Sequence, residues 1–195
     1  MANRQFTQFY YTLRKMCVQI DSILTFGTTG SVASFTGAGI ANMTRLSQGV
    51  YRAQLQDNYV TGLAYNWEAI SGPTGAAIAG GSFVAGTLYK IASLGTTTTA
   101  QWVTAGLPSG LIPTIGQAFV ALGAGAGTGT VQAVGNGGIS AVEVVSENML
   151  NPVGLNKGLG GYVVFKTMSS AFALVDPVNG AKLSMTFILS NSTAT

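Results

Sequence analysis

Hydrophobic and polar side chains alternate most strictly near the C-terminal end of the chain, where Leu183, Met185, Phe187 and Leu189 interleave with Lys182, Ser184, Thr186 and Ser190. A period of two places one set on each face of a pleated strand, so this segment predicts a strand with one buried face. Tyr51, Ala53 and Leu55 against Arg52, Gln54 and Gln56 predict a second strand, opening at Gly49 and ending at Asp57-Asn58, whose side chains close turns. Further strands are read over residues 62–70 (with Tyr65 and Trp67), 141–146 (with Val142 and Val144 opposite Glu143) and 161–166. Residues 6–26 carry two periodicities. Phe9, Leu13, Met16, Ile20 and Ile23 fall at helical spacing, whereas Val18, Ile20, Leu24 and Phe26 suit a strand. The reading adopted is an extended arm leading into a strand, followed by a turn at Gly27-Thr28-Thr29-Gly30.

The middle of the chain has a different texture. Residues 72–81 are mostly Gly and Ala and read as a flexible connection, and Gly135-Asn136-Gly137-Gly138 is a second glycine-rich junction. Between them, a strand over residues 86–94 turns at Gly95-Thr96-Thr97, a second opens at Gly116-Gln117-Ala118-Phe119, and Gly127-Thr128-Gly129-Thr130-Val131 leads out. Residues 102–113, with two prolines and two glycines, read as a surface loop. The expected organisation is a discontinuous β core of residues 1–71 plus 139–195 with an N-terminal arm, interrupted by an inserted Gly/Thr-rich β-module at residues 72–138. The fold class is all-β: an antiparallel β-sandwich or barrel-like core in which the C-terminal strand pairs back into the N-terminal half.

Composition sharpens this picture. The 195 residues are 47% apolar and only 8% charged, against about 25% charged in ordinary soluble domains, so neutral polar groups or partner subunits must cover the surface. Arg4, Arg14 and Lys15 precede every acid, and the other six basic residues balance the six acids, so the net charge of +3 belongs to the arm. Three cations fall short of a nucleic-acid footprint and read either as a solvated terminus or as an arm that docks onto an acidic protein surface. Cys17 has no second cysteine to pair with and reads as a small core residue. The first residues lack the apolar run of a secretory signal, which predicts a protein made and left in the cytoplasm unless a larger particle carries it out. Residues 91–156 lack Lys and Arg, but Gly, Pro and Thr interrupt the apolar stretches, so no membrane span is predicted.

Candidate chemistry is sparse. With no His, the chain lacks the commonest general base and neutral metal ligand, and it has neither Cys-x-x-Cys nor a Gly-x-Ser-x-Gly elbow. The alternation from Gly123 to Gly129 fails the dinucleotide pattern because Thr128 stands where a third glycine belongs. Paired carboxylates alone can cleave glycans, but the six acids are widely spaced, and Glu143 and Glu147 read as solvated edge charges. No catalytic residue, metal or cofactor is expected.

Two sets of residues carry a resemblance. The inserted segment, with its Gly86-Thr87-Leu88-Tyr89-Lys90 strand, Gly-Thr turn and Gly116-Gln117-Ala118-Phe119 strand, resembles a module recurring in structural proteins of tailed bacteriophages. The flanking Gly49-Val50-Tyr51, Leu55-Gln56-Asp57-Asn58-Tyr59 and Lys182-to-Phe187 strand, closing in Asn191-Ser192, look like a small phage virion protein domain. Together they span about two thirds of the chain; Gln5 to Tyr11 falls outside. The resemblance implies a non-enzymatic capsid decoration (cement) protein on the outer surface of the head, forming a homotrimer that grips the major capsid protein or another virion subunit. Two other roles are a tail or fibre protein and a carbohydrate-binding surface module. Arg4, Phe6, Phe9, Tyr10, Tyr11, Arg14 and Lys15 are the candidate partner interface, and of adjacent Tyr10 and Tyr11 one is expected to face the partner. Tyr89 and Trp102 are the candidate exposed surface of the outer module, whereas Trp67 is assigned to the core.

Overall fold

The computed structural model describes residues 7–12, 15–149 and 160–190. Among them are thirteen strands in three antiparallel sheets and a single α-helix, the all-β class that the alternation predicts. The first sheet is built on β13 (Lys182–Ser190), which pairs along its whole length with β2 (Lys15–Phe26) on one side and β6 (Thr61–Ile70) on the other. The outer edge of β2 is shared by β1 (Thr7–Thr12) near one end and β3 (Val32–Thr36) near the other. In the second sheet, β4 (Ile40–Ser47), β5 (Val50–Leu55), β12 (Tyr162–Met168) and β11 (Ala141–Asn148) lie in the order β11-β12-β5-β4.

These two sheets bury one face each against the other. Leu183, Met185, Phe187 and Leu189 of β13, with Val18, Ile20, Leu24 and Phe26 of β2, meet Tyr51, Ala53 and Leu55 of β5 and Val163 and Phe165 of β12. Aromatic rings join the layers. Trp67 lies 4.8 Å from Phe165 between centroids, and Phe26 meets Tyr51 edge-on at 5.1 Å. Trp67, half-buried, packs against this cluster as the sequence suggests. Ser22 is the polar exception on the inner face of β2. Its hydroxyl donates to the Thr36 carbonyl across the β2–β3 pair, which meets the hydrogen-bonding need of a buried oxygen. Cys17 is half-buried at the β1–β2 pair, opposite Phe9.

The third sheet, β7-β10-β8-β9, comprises β7 (Gly72–Ala79), β10 (Thr130–Gly135), β8 (Leu88–Ser93) and β9 (Ala118–Val120). It has its own apolar cluster, formed by Phe83, Tyr89, Ile91, Phe119 and Val131 with Trp102 and Ala105 of α1 (Thr99–Ala105) and the following Leu107. The residues of this cluster all fall within 72–138, and those of the larger cluster all fall outside it.

Two expectations are corrected. Residues 72–79 form an edge strand instead of a flexible connection, because pairing with β10 from Gly72↔Gly135 to Ala79↔Thr130 supplies the hydrogen bonds that their low strand propensity would not predict. Pro73 is tolerated because β7 lies at the sheet edge. Residues 102–113 are not wholly a surface loop. Thr98 and Gln101 form a reciprocal capping box that starts α1, and Gly106, at φ 126°, ends it. β3 and β4 are two further strands that the alternation left unassigned.

Because Ala79 and Thr130 are paired neighbours, a short turn can join them directly. We expect a variant in which such a turn replaces residues 80–129, with Val131→Thr to remove the apolar side chain thereby uncovered, to fold with the denaturation midpoint of the parent sandwich. Loop length contributes only about 0.6 kcal/mol per twofold change. A circular dichroism melt that is non-cooperative, or an insoluble product, would show that the third sheet is needed to hold the other two.

Candidate functional site

The predicted interface residues divide between the described strands and the residues outside them. Arg4, Phe6 and Arg14 fall outside the described residues; Phe9, Tyr10 and Tyr11 are in β1, and Lys15 begins β2. β1 itself is placed by backbone pairing, with Thr7, Gln8 and Phe9 opposite Gln19, Val18 and Cys17. Residues 7–12 of the arm are therefore a sheet-forming strand at the edge of the first sheet.

The proposed exposed pair in the outer module is overturned. Tyr89 is 3% exposed and Trp102 1% exposed, and both belong to the aromatic cluster with Phe83 and Phe119. The reason lies in strand parity and the unpredicted helix. Tyr89 shares the inner face of β8 with Ile91, and α1 lays Trp102 over that face. Tyr89 also uses its hydroxyl structurally, accepting a hydrogen bond from the Val84 amide at 3.1 Å. A shallow aromatic groove for sugars is thus absent at these two residues, and the carbohydrate-binding expectation loses the side chains it rested on. The Thr-x-x-Gln spacing of Thr98 and Gln101 is the sequence signal that would have revealed the helix.

Two carboxylates organise the polar groups. Asp176 receives both Nε (3.0 Å) and Nη2 (2.6 Å) of Arg45 and the Gly49 amide at 2.9 Å. The Tyr51 hydroxyl, buried beside it, donates to the Gly30 carbonyl at 2.9 Å. Gly30, at φ 68°, is obligatory in this corner, since a Cβ there would fall within 2.7 Å of the Asp176 side chain. The fork of hydrogen bonds from Arg45, helped by the Gly49 amide, holds the Asp176 carboxyl below its ordinary range, and burial pushes the Tyr51 phenol up. Such a carboxylate is a poor proton acceptor. Its geometry fastens the segment after β12 to the β4–β5 turn.

Glu147 plays a similar part at another corner. It accepts from the Tyr65 hydroxyl and from the Gly62 amide at 3.3 Å, tying the edge strand β11 of one sheet to the edge strand β6 of the other. Burial, with the hydrogen bond to Glu147 adding to it, raises the Tyr65 phenol. Both Glu143 and Glu147 are exposed on the edge strand β11, as the sequence suggests, and each has a partner that the sequence did not show. Glu143 pairs with Lys166 at 2.9 Å, and Glu147 closes a sandwich corner. Among the described residues, no three of His, Cys, Asp and Glu come together in a group able to hold a metal, and no helix is long and apolar enough to cross a membrane.

The surface carries a distinct feature in the third sheet and its loops. Val84, Ile112, Ile115, Val120 and Leu122 are each at least half exposed. Lys90 is the single charged residue between Glu68 and Glu143. Leu88 and Val120 are directly paired across β8 and β9 on the face opposite Tyr89 and Phe119. Comparison with known protein families, curated proteins and solved structures finds no match for this chain.

The Asp176 corner predicts a pH dependence. A carboxylate whose folded pKa is depressed contributes stability that is present above its unfolded value, about 4, and is lost as the pH falls through the folded value. Asp176→Asn is therefore expected to lower the urea midpoint at pH 7 and to differ progressively less from the parent as the pH is taken below the carboxylate range. A gap between the two proteins that stays constant down to pH 2 would show that the charge of Asp176 is immaterial.

Proposed function

We propose that this protein is a non-enzymatic structural subunit of a tailed-phage virion, a decoration protein that binds the outer surface of the head and reinforces it. The observation that carries this reading is the exposed apolar side chains of the third sheet and its loops, in a segment with one charge. Exposed apolar groups rimmed by neutral Thr, Ser and Gly mark association surfaces, because covering them releases ordered water without desolvating charge. The polar clusters support the same reading. Asp176 has its oxygens engaged in fastening a loop to the β4–β5 turn and Glu147 in joining two sheets, an arrangement suited to a rigid building block.

On this reading the subunits associate as a homotrimer, and the N-terminal strand, with Arg4, Arg14 and Lys15 beside it in sequence, docks onto an acidic surface of the major capsid protein or another virion subunit. β1 supports the docking role because it sits at a sheet edge, where backbone groups are available for pairing with a second chain. Neither nucleic acid nor membrane is a partner, and the place of residence is the particle surface. A tail location with the same architecture would be recognised by electron cryomicroscopy of particles carrying a labelled copy, which is the direct test of the head assignment.

Two measurements follow. Sedimentation equilibrium at micromolar concentration is expected to give three times the 19.9 kDa subunit mass, and a persistent monomer would rule out the self-association. Deleting residues 2–12 is expected to leave a cooperatively folding protein that binds particles more weakly, and the intact protein should lose affinity as salt is raised, since exposed charges are screened over about 8 Å at physiological ionic strength. Unchanged particle binding after the deletion would remove the arm from the interface.

A further inference from the structure

We infer that the cleft between the third sheet and the first is a binding site for a small molecule with an oxyanion head and a short apolar body. The cleft, of about 440 Å³, lies where the chain leaves β6 for β7. Its walls are Ile70, Pro73, Ala118 and Val134, with backbone from Gly72 and Gly180, the Ser71 position, and two cations, Lys90 and Lys182. No acid lines it. A volume in the range of roughly 300–1,000 Å³, mostly apolar with a few convergent polar groups, is the usual description of a small-molecule site.

The two lysines reach the cleft from separate sheets, Lys90 from the middle of β8 and Lys182 from the start of β13. Neither has an ion-pair partner among the described residues, whereas Arg45 and Lys166 do. Lys90 is also the sole charge over residues 69–142. A segment that otherwise excludes charge contributes its one cation to a cleft that Lys182 also lines, so an anion in the cleft is attracted by both. The acid nearest in sheet register is Glu68, which pairs with Ser184, one step along the face from the Lys182–Ile70 pair, and it does not line the cleft. Ala118 is the direct cross-strand partner of Lys90 and stands on the same face, so the apolar wall adjoins the cationic group. An oxyanion held by two ammonium groups, with an alkyl body laid against Ile70, Pro73, Ala118 and Val134, uses all of these features.

The test is a titration of the full chain with hexanoate, acetate, inorganic phosphate and hexanol, followed by amide shifts of Ser71, Gly72 and Gly180. Hexanoate is expected to bind best, acetate and phosphate more weakly, and hexanol not measurably. Lys90→Ala and Lys182→Ala should each weaken hexanoate about tenfold, the size of effect expected for one charge-assisted hydrogen bond. Ala118→Leu, which fills the wall while keeping both lysines, should weaken it as well, and Lys166→Ala should leave it unchanged. Thermal melts establish that each variant is folded. No shift with any anion, hexanoate affinity unchanged from the parent in both lysine variants, or binding of phosphate without hexanoate overturns the assignment. Because these readouts need no virion, they stand or fall apart from the decoration role.

Discussion

The central position of β13 is the constraint on which the rest of the architecture rests. Nine successive residues pair with β2 on one side and nine with β6 on the other, so a strand at the far end of the sequence becomes the middle of the first sheet. Every second side chain of it is then enclosed, and Phe187, fully buried, touches the rings of Tyr65 and Trp67 from the neighbouring strand. Since both neighbours come from the first 70 residues, everything between residues 71 and 182 must leave the first sheet and return. That requirement divides the intervening chain into the third sheet and the two strands, β11 and β12, that complete the second sheet.

The corners are held differently from the layers. Between layers the cohesion is apolar and aromatic, non-directional and proportional to the area removed from water. At two places directional groups add to this: Arg45, Gly49 and Tyr51 around Asp176, and Tyr65, Gly62 and Thr61 around Glu147. With 8% charged residues, the chain commits several of them to these fastenings. The remaining surface of the third sheet is then neutral and partly apolar, which gives self-association or docking a physical motive and leaves Lys90 conspicuous beside the cleft.

Legibility in the sequence followed the strength of alternation. β13, β5 and β12 bury one face and leave the other half-buried, and β6 and the start of β11 alternate between half-buried and exposed positions, so a pattern of period two survives in the primary structure. β7 is written in Gly, Ala and Pro, which carry little strand preference, and exists because β10 lies beside it. The helix α1 is only seven residues long, too short for a helical period to stand out, although its capping box was present to be read. The predicted exposure of Tyr89 and Trp102 failed because exposure depends on which face a neighbouring element covers, and that neighbour was the unread helix.

What the sequence by itself determined was the all-β class, the positions of the strongly alternating strands, and the shortage of charge and of chemistry-bearing side chains, all of which depend only on local pattern and composition. Only the tertiary structure decided which carboxylates are fasteners, which aromatics are interior, and that Lys90 and Lys182 share one cleft. Asp176 meets Arg45 across 131 residues of chain, and Lys182 and Lys90 line one cleft from two different sheets. Such encounters are set by strand pairing and sheet packing, where one register fixes the partners of every residue at once, and no window along the chain contains that information.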